Sequence, residues 1–160
     1  MKIRFATDND VPACVECGRR MHAITRFAIY DFNAERVAQN LRSVVESGQN
    51  GKGTHCFFVV EDDQKQIIGA LIGCVERHFF SDQIVASVIH YDVLPEKRMS
   101  GSGLKLLTAF RKWAENRGAF ELSVGINSGV QLDKMHRFLM RLGFEQTGGN
   151  YALPLRKQVQ

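Results

Sequence analysis

The hydrophobic positions of this chain alternate between strand-like runs and stretches with helical spacing. Apolar, β-branched-rich segments predict strands at 3–6, 55–60, 67–75, 86–93, 120–126 and 151–155. Apolar residues three and four apart predict helices at about 8–20, between the cap at Asn33 and Gly48, at 104–116 and at 132–142. The pattern therefore predicts an α/β (α+β) fold, with a sheet of about six to seven strands and about four helices.

One stretch of the chain has a composition suited to an anion. The predicted strand 86–93 leads through a loop into the helix that begins near Leu104, and the loop contains Arg98, Gly101 and Gly103. The first amides of a helix lack intrahelical partners, and the helix dipole adds positive potential there. The two glycines permit close approach, so the loop suits a pyrophosphate. A plain strand-to-helix turn, with glycines that only cap the helix, is the alternative.

Two common phosphate-binding motifs do not fit this loop. No Lys-Ser/Thr pair follows the glycines, as a nucleoside-triphosphate P-loop requires. Leu106 occupies the position of the third glycine of a dinucleotide-binding G-x-G-x-x-G. The loop is therefore either another class of anion site or the plain turn.

Composition and charge narrow the class of protein. A chain of 160 residues with 44% hydrophobic and 24% charged residues is expected to form one domain, over 1–160. The net charge of +4 is mild and scattered, so nucleic acid is not favoured as a partner, whereas a polyanionic cofactor is. No apolar run approaches the roughly 20 residues of a membrane span, and the first residues resemble a strand rather than a signal peptide. We expect a cytoplasmic protein that does not enter the membrane.

The four cysteines are expected to be reduced thiols rather than metal ligands. Cys14 and Cys17 form a C-x-x-C, but no second Cys or His pair accompanies them, as a structural zinc site would need. Cys56 and Cys74 lie singly in apolar strands. Because Cys14 shares a helical face with Val11 and Val15, it is expected to be a small core residue. No metal is predicted.

The loop sequence Arg98-Met99-Ser100-Gly101-Ser102-Gly103 resembles the Arg/Gln-x-x-Gly-x-Gly/Ala motif of the GNAT superfamily of acyl-CoA-dependent N-acyltransferases. Val93 and Pro95 stand at the usual preceding positions, and Gly143-Phe144 after the last helix resembles a second landmark of the family. The order of the predicted elements is similar to that of the family over nearly the whole chain. The resemblance implies a mixed, mostly antiparallel sheet with two strands splayed at the cofactor site.

The resemblance also implies where acetyl-CoA binds as co-substrate. The pyrophosphate would lie on the loop from Arg98 to Leu104, which includes Met99, Ser100, Gly101, Ser102 and Gly103, and the pantetheine arm would pair with the backbone near Val93. Asn127 is a candidate for a further polar contact. Residues 21–32 would form one wall of the acceptor site, or else a plain connection. The partner would be the amine of a small molecule or a protein, and a homodimer is left open.

Three positions depart from the family pattern. Leu139 stands where a Tyr commonly protonates the departing thiolate, Leu132 stands where an Asn often contacts the cofactor, and Ser87 occupies a frequent Glu position. Candidate bases are therefore His90, Asp92 and Glu76. His90 has a suitable intrinsic pKa near 6.5, although an ordinary sheet histidine or a water-relayed base remain alternatives.

The implied function is transfer of an acetyl group from acetyl-CoA to an amine by direct attack, with the Val93 amide polarising the thioester carbonyl. A different class of function would keep the fold and lose the reaction. In that alternative the chain is an acyl-CoA-binding or partner-binding module, and the absent Tyr and Glu are the observations that favour it.

Overall fold

The computed structural model describes residues 1–155, which form a central sheet with helices on both of its faces. Its strands are β1 Lys2–Phe5, β2 His55–Glu61, β3 Ile67–Arg77, β4 Ile84–Val93 and β5 Ala119–Val124. Its helices are α1 Val11–Ala23, α2 Ala34–Gly48, α3 Ser102–Asn116 and α4 Leu132–Arg141. Short 3-10 segments span Asp8–Asp10, Arg26–Ile29, Gln49–Gly51 and Pro95–Ser100. The α/β class and the four α-helices are as predicted.

The strands form one sheet in the order β1-β2-β3-β4-β5. The first four strands are antiparallel to their neighbours, whereas β5 is parallel to β4 because α3 carries the chain back across the sheet. The mixed, mostly antiparallel sheet is therefore confirmed.

The predicted number of strands is wrong, since residues 1–155 contain five. The segment 151–155 has the alternating pattern of a strand, yet it pairs with nothing in this part of the chain and its large side chains are exposed. Pro154 removes a ladder donor there, and Gly148 and Gly149 precede the segment. The prediction that 1–160 is one domain stays a prediction, and residues 156–160 lie outside the described residues.

The two faces of the sheet carry different helices. The face covered by α3 and α4 holds the larger core, with Phe58, Leu71, Leu106, Phe110 and Leu139 among its buried residues. The opposite face, covered by α1 and α2, buries a smaller set. That set consists of Ala6, Cys14, Phe57, Val59, Ala70 and Ile72. Strands β2 and β3 thus send alternate side chains into two separate cores.

A charged cluster fixes the first strand to the start of α1. Arg4 donates from Nη1 and Nη2 to the two carboxylate oxygens of Asp10, each at 2.7 Å, and also bonds Glu61 on β2. The hydrogen bonds from Arg4 hold the pKa of Asp10 at about 2, below its usual range. Asp10 is only 7% exposed, so this pairing contributes to the stability of the fold.

All four cysteines are free thiols. Burial raises the pKa of Cys14 to about 12, which agrees with its predicted place in the core. Among residues 1–155 no cluster of three or more His, Cys, Asp or Glu side chains is placed to hold a metal ion. Over the same residues no helix is long and apolar enough to cross a membrane.

Candidate active site

The sheet opens between β4 and β5. Their parallel pairing runs from Ile84 opposite Ala119 to Val88 opposite Val124 and then stops, although β4 continues to Val93. The Oγ atoms of Ser87 and Ser123 lie 3.0 Å apart and link the two strands just before the opening. The two strands are therefore splayed, as the family resemblance implied. We call the space beside Ile89–Val93 the β4–β5 gap.

A β-bulge at Ile89 sets which side chains of β4 face each side of the sheet. On β3, Ile72 pairs with His90 while the next residue, Gly73, pairs with Val88, so Ile89 is the extra residue. Directly opposed residues in a sheet share a face. His90 therefore lies on the face of Ile72, which is the one covered by α1 and α2. Sequence alternation alone left the side of His90 undecided.

The backbone of Val93 faces the β4–β5 gap. Leu94 N donates to Ile68 O on the β3 side, at 2.9 Å. Because successive amides of a strand point to opposite edges, the Val93 amide points away from β3 and toward the gap. Arg98 Nε donates to Val93 O at 3.3 Å, which fixes the start of the loop beside the strand end. The Val93 N–H is thus available as a donor at the place where the thioester carbonyl oxygen is expected.

The loop after β4 turns sharply into α3. A 3-10 segment spans Pro95–Ser100, and Gly101 has a φ of 80°, in the left-handed region that favours glycine. The helix then begins at Ser102, so the amides of Gly103 and Leu104 lie in its first turn without intrahelical acceptors. Met99 is 98% exposed at the outer rim of the loop. The predicted strand, glycine loop and helix are all present.

The serines of the loop hold its shape instead of pointing outward. Ser100 Oγ donates to Lys97 O at 2.6 Å and also contacts Ser102 Oγ. Ser102 is fully buried, and its hydroxyl donates to Met1 Sδ at 3.3 Å. The backbone amide of Ser102 donates to Ser100 Oγ at 3.4 Å, so both polar donors of this buried residue have partners within the loop.

A close packing contact explains the second glycine. A Cβ on Gly103 would lie 2.5 Å from Tyr91 Oη, which is far inside normal contact distance. Tyr91 lies between His90 and Asp92 on β4 but faces α3, and burial raises the pKa of its hydroxyl. Sequence reasoning missed this role of Tyr91. The signal that would have suggested it is the alternation of side chains along β4, which places Tyr91 on the opposite face from its neighbours, toward the start of α3.

Two of the three candidate bases are paired. His90 Nε2 and Asp92 Oδ2 are 3.0 Å apart, and the His90 side chain is 48% exposed while that of Asp92 is 9% exposed. Partial burial alone would lower the pKa of His90, but the charge and hydrogen bond of Asp92 outweigh it, so the pKa lies above its ordinary value. An accessible imidazole held by a buried carboxylate has the arrangement of a general base with its orienting group.

Glu76 and Asn127 lie apart from this pair. Glu76 and the partner of His90, Ile72, are four positions apart on β3, which corresponds to about 13 Å at about 3.3 Å per residue. Glu76 shares their face of the sheet but is exposed near the hairpin end. Asn127 is exposed three residues past the end of β5, on the far side of the gap. The structure thus brings His90 and Asp92 together and leaves Glu76 remote.

The connection after α1 forms a wall across the gap. Arg26 N donates to Ser128 O at 2.9 Å, and a Cβ on Gly129 would lie 3.2 Å from the Arg26 side chain. These contacts join the segment between α1 and α2 to the segment after β5. On the β4 side, Arg20 of α1 bonds Glu96, in the 3-10 segment after β4, at 2.8 Å. The weak periodicity of residues 21–32 marked this region without showing what it contacts.

The departures from the family pattern have structural counterparts. Leu139 is 8% exposed and belongs to the core under α3, so no phenol is available at that position. Ser87 bonds Ser123 and therefore contributes to sheet pairing instead of proton transfer. The chemistry available at the gap is a backbone donor at Val93 and the His90–Asp92 pair.

Splayed parallel strands followed by a glycine loop and a helix define the class of fold as that of acyl-CoA-dependent acyltransferases. A family model described as "Acetyltransferase (GNAT) family" matches residues 21–144. The chain therefore belongs to the GNAT acetyltransferase family, whose enzymes transfer an acetyl group from acetyl-CoA to an amine. None of the curated proteins matches the sequence.

Solved structures of similar fold include two N-acetyltransferases of named source. An aminoglycoside antibiotic 6′-N-acetyltransferase from Acinetobacter baumannii is 17% identical with a TM-score of 0.69, over 99% of each chain. A glucosamine-6-phosphate N-acetyltransferase from Arabidopsis thaliana is 13% identical with a TM-score of 0.73, over 97% of this chain and 98% of the other.

A third structure is a further 6′-N-acetyltransferase in complex with a bisubstrate analogue of CoA and acetylneamine. It is 16% identical with a TM-score of 0.74, over 98% of this chain and 97% of the other. At these identities the three structures support the fold of this chain.

Proposed function

We propose that this chain acetylates a primary amine with acetyl-CoA at the β4–β5 gap, and that His90 is the group that accepts the proton from the amine. The observation that carries the proposal is the His90–Asp92 pair, 3.0 Å apart on the same strand as the Val93 amide. Donor and base would then act on one thioester from neighbouring positions of β4.

The loop from Arg98 to Leu104 is suited to the pyrophosphate of acetyl-CoA. The first-turn amides of Gly103 and Leu104 and the positive end of α3 supply donors and potential, and the guanidinium of Arg98 adds a cation at the same edge. The absence of a side chain at Gly101, where an added Cβ would lie in open space, lets the phosphates approach the backbone. Asn127, across the gap, is a candidate for a further polar contact.

The proposed reaction moves one proton and breaks one bond of the thioester. The neutral amine attacks the carbonyl carbon, the Val93 N–H stabilises the developing oxyanion, and the C–S bond breaks to release CoA thiolate. The proton from the amine passes, directly or through a water, to His90 Nδ1, or through a water to Asp92. Nδ1 carries the lone pair of the neutral imidazole because Nε2 donates its hydrogen to Asp92 Oδ2. Because the thiolate is a tolerable leaving group, no phenol at Leu139 is required.

The acceptor would enter from the face covered by α1 and α2, because His90 and the wall containing Arg26 lie there. The acceptors named for two structural neighbours are an aminoglycoside and glucosamine 6-phosphate, so amino sugars are the first small molecules to test. A protein amine remains a second class. The four free thiols fit the reducing cytoplasm, where we place the protein.

The test is release of free thiol from acetyl-CoA across a panel of amines, with His90→Ala compared with the wild type. General bases contribute about 10²-fold or more, so kcat/KM should fall by at least about that factor. His78→Ala is the matched control, since His78 is an exposed histidine at the β3–β4 turn. A near-normal rate for His90→Ala between about pH 6 and 9 would pass the role to Asp92, Glu76 or water.

The second candidate is an acyl-CoA-binding module with little turnover. Leu139 in the core and Ser87 bonded to Ser123 favour it, because both replace groups that many relatives use in catalysis. Such a module would bind CoA and show a raised melting temperature with it. It would release no thiol with any amine, which separates it from the enzyme.

A further inference from the structure

The wall across the gap contains an arginine whose charge has no partner in the described part of the chain. Arg26 begins the 3-10 segment Arg26–Ile29 between α1 and α2, and it is partly buried. Within residues 1–155 its guanidinium forms no ion pair and no hydrogen bond, and its Cζ atom lies over the ring of Phe27, 5.5 Å from the centroid. A charge that loses hydration without gaining a counter-charge is unfavourable, so this position is suited to an anion from outside the chain.

The other partly buried arginines of residues 1–155 all have partners. Arg4 pairs with Asp10. Arg98 donates to a carbonyl at the end of β4, and Arg117 donates to two carbonyls in the segment between α2 and β2. The remaining arginines of this part of the chain are exposed, so water can hydrate them. Arg26 differs from all of these because it combines partial burial with an unused set of donors.

Arg26 is held beside the gap by contacts that leave its guanidinium free. Its backbone amide donates to Ser128 O at 2.9 Å, and its Cβ, Cγ and Cδ atoms lie 3.2–3.4 Å from the position that a Cβ on Gly129 would take. Ser128 follows β5, whereas α1 packs against β3, so the segment that joins them passes over β4. It does so on the face that carries His90. A fixed guanidinium is therefore available on the acceptor side of the gap.

We propose that Arg26 binds an anionic group, a carboxylate or a phosphate, that the acceptor amine carries. This inference rests on the proposed function, because it concerns the other end of the same substrate. The planar fork of a guanidinium matches two oxygens of such a group, and partial burial strengthens the attraction between the charges. The phosphates of CoA would lie on the loop between β4 and α3, whereas Arg26 is bonded to the segment after β5. The acceptor is therefore the ligand that this geometry favours.

The test is thiol release with pairs of amines that differ in an anionic group: glucosamine 6-phosphate against glucosamine, and β-alanine against its amide. In the wild type the anionic member of at least one pair should have a kcat/KM about tenfold higher or more, as a bidentate ion pair supplies. The pair with the larger preference distinguishes a phosphate from a carboxylate. Arg26→Gln should abolish the preference, mainly through KM, because the group that Arg26 binds is remote from the reacting bond.

The variant is chosen so that only the guanidinium is lost. Arg26→Gln retains the Cβ, Cγ and Cδ atoms that pack beside Gly129. Arg137→Gln is the matched control, since Arg137 is an exposed arginine of α4, on the other face of the sheet, and the change of charge is the same. It should leave the rates with both members of a pair unchanged. An equal loss with both members in Arg26→Gln would show a merely structural role and overturn the proposal, as would a wild type without preference.

Calorimetry on the protein saturated with CoA separates this inference from the proposed function. If no amine releases thiol, the proposed reaction is wrong, but glucosamine 6-phosphate or β-alanine should still bind the wild type about tenfold more tightly than Arg26→Gln. Equal affinity for the two proteins, or binding to neither, overturns the role of Arg26. A loss of affinity for CoA itself in Arg26→Gln would assign Arg26 to the cofactor and also overturn the proposal.

Discussion

Replacing Gly103 by Ala should be destabilising only while Tyr91 keeps its hydroxyl. The added Cβ would lie 2.5 Å from Tyr91 Oη, whereas the next nearest atom of that side chain, Cζ, is at 3.5 Å, an ordinary contact. Overpacking of this kind costs about 1–3 kcal/mol. Removing a glycine from a helix gains up to about 1 kcal/mol. Gly103→Ala should therefore lose roughly 1 kcal/mol with Tyr91, and gain up to about 1 kcal/mol with Tyr91→Phe.

The measurement is a double-mutant cycle by denaturant unfolding of the four proteins. We expect a coupling free energy of about 1–3 kcal/mol, or several degrees in melting temperature at about 2–4 °C per kcal/mol. Gly18→Ala on α1 is the control, because its Cβ would meet nothing within 4 Å and its effect should not depend on Tyr91. Equal effects of Gly103→Ala in both backgrounds, within about 0.5 kcal/mol, would refute the contact as the reason for glycine.

Three further predictions address the loop, the base and the fold. Gly101→Glu should leave the protein folded but lower CoA affinity by more than about tenfold, measured by calorimetry, because it adds an anion beside the helix start; unchanged affinity would count against the loop. Asp92→Asn should move the inflection in the pH profile of kcat/KM to lower pH, since His90 must be neutral to act and Asp92 raises its pKa. An inflection at the same pH in the variant would show that the His90–Asp92 pair does not control the rate. Asp10→Asn should lower the free energy of unfolding by about 2 kcal/mol at neutral pH. This difference should shrink as pH falls from 3.8 toward 2, because the carboxyl that Arg4 stabilises becomes protonated in the wild type. A difference in urea unfolding that does not depend on pH would contradict this prediction.

The sequence predicted the elements well where one local rule decides the structure. Helical periodicity located all four α-helices, and the glycines of the loop marked the turn into α3. Pattern alone did not determine the pairing partners of a strand. The segment 151–155 alternates like a strand, yet alternation carries no information on whether a neighbouring edge is available in the same chain. Its exposure in the structure is a property of tertiary arrangement.

The candidate site was predictable in its cofactor half and not in its catalytic half. The loop residues are consecutive, so a motif finds them together. The side of the sheet taken by His90 depends on the bulge at Ile89, which shifts the alternation of β4 by one residue and has no signal in composition. Glu76 was a further candidate from the sequence, since only the register of β4 with β3 reveals its separation from His90.

The placement of Leu139 and Tyr91 bears on which step limits the reaction. Leu139 is buried in the core, and Tyr91, the tyrosine of β4, faces α3 with its pKa raised by burial, so neither supplies an acid on the side of His90. The departing thiolate can then be protonated only by solvent, which is sufficient because a thiolate is a tolerable leaving group. The step that still needs help is removal of the proton from the amine. A base whose pKa is raised by Asp92 is a stronger proton acceptor once neutral, and that gain is available only above its pKa. The proposed activity should accordingly be greatest on the alkaline side of neutrality.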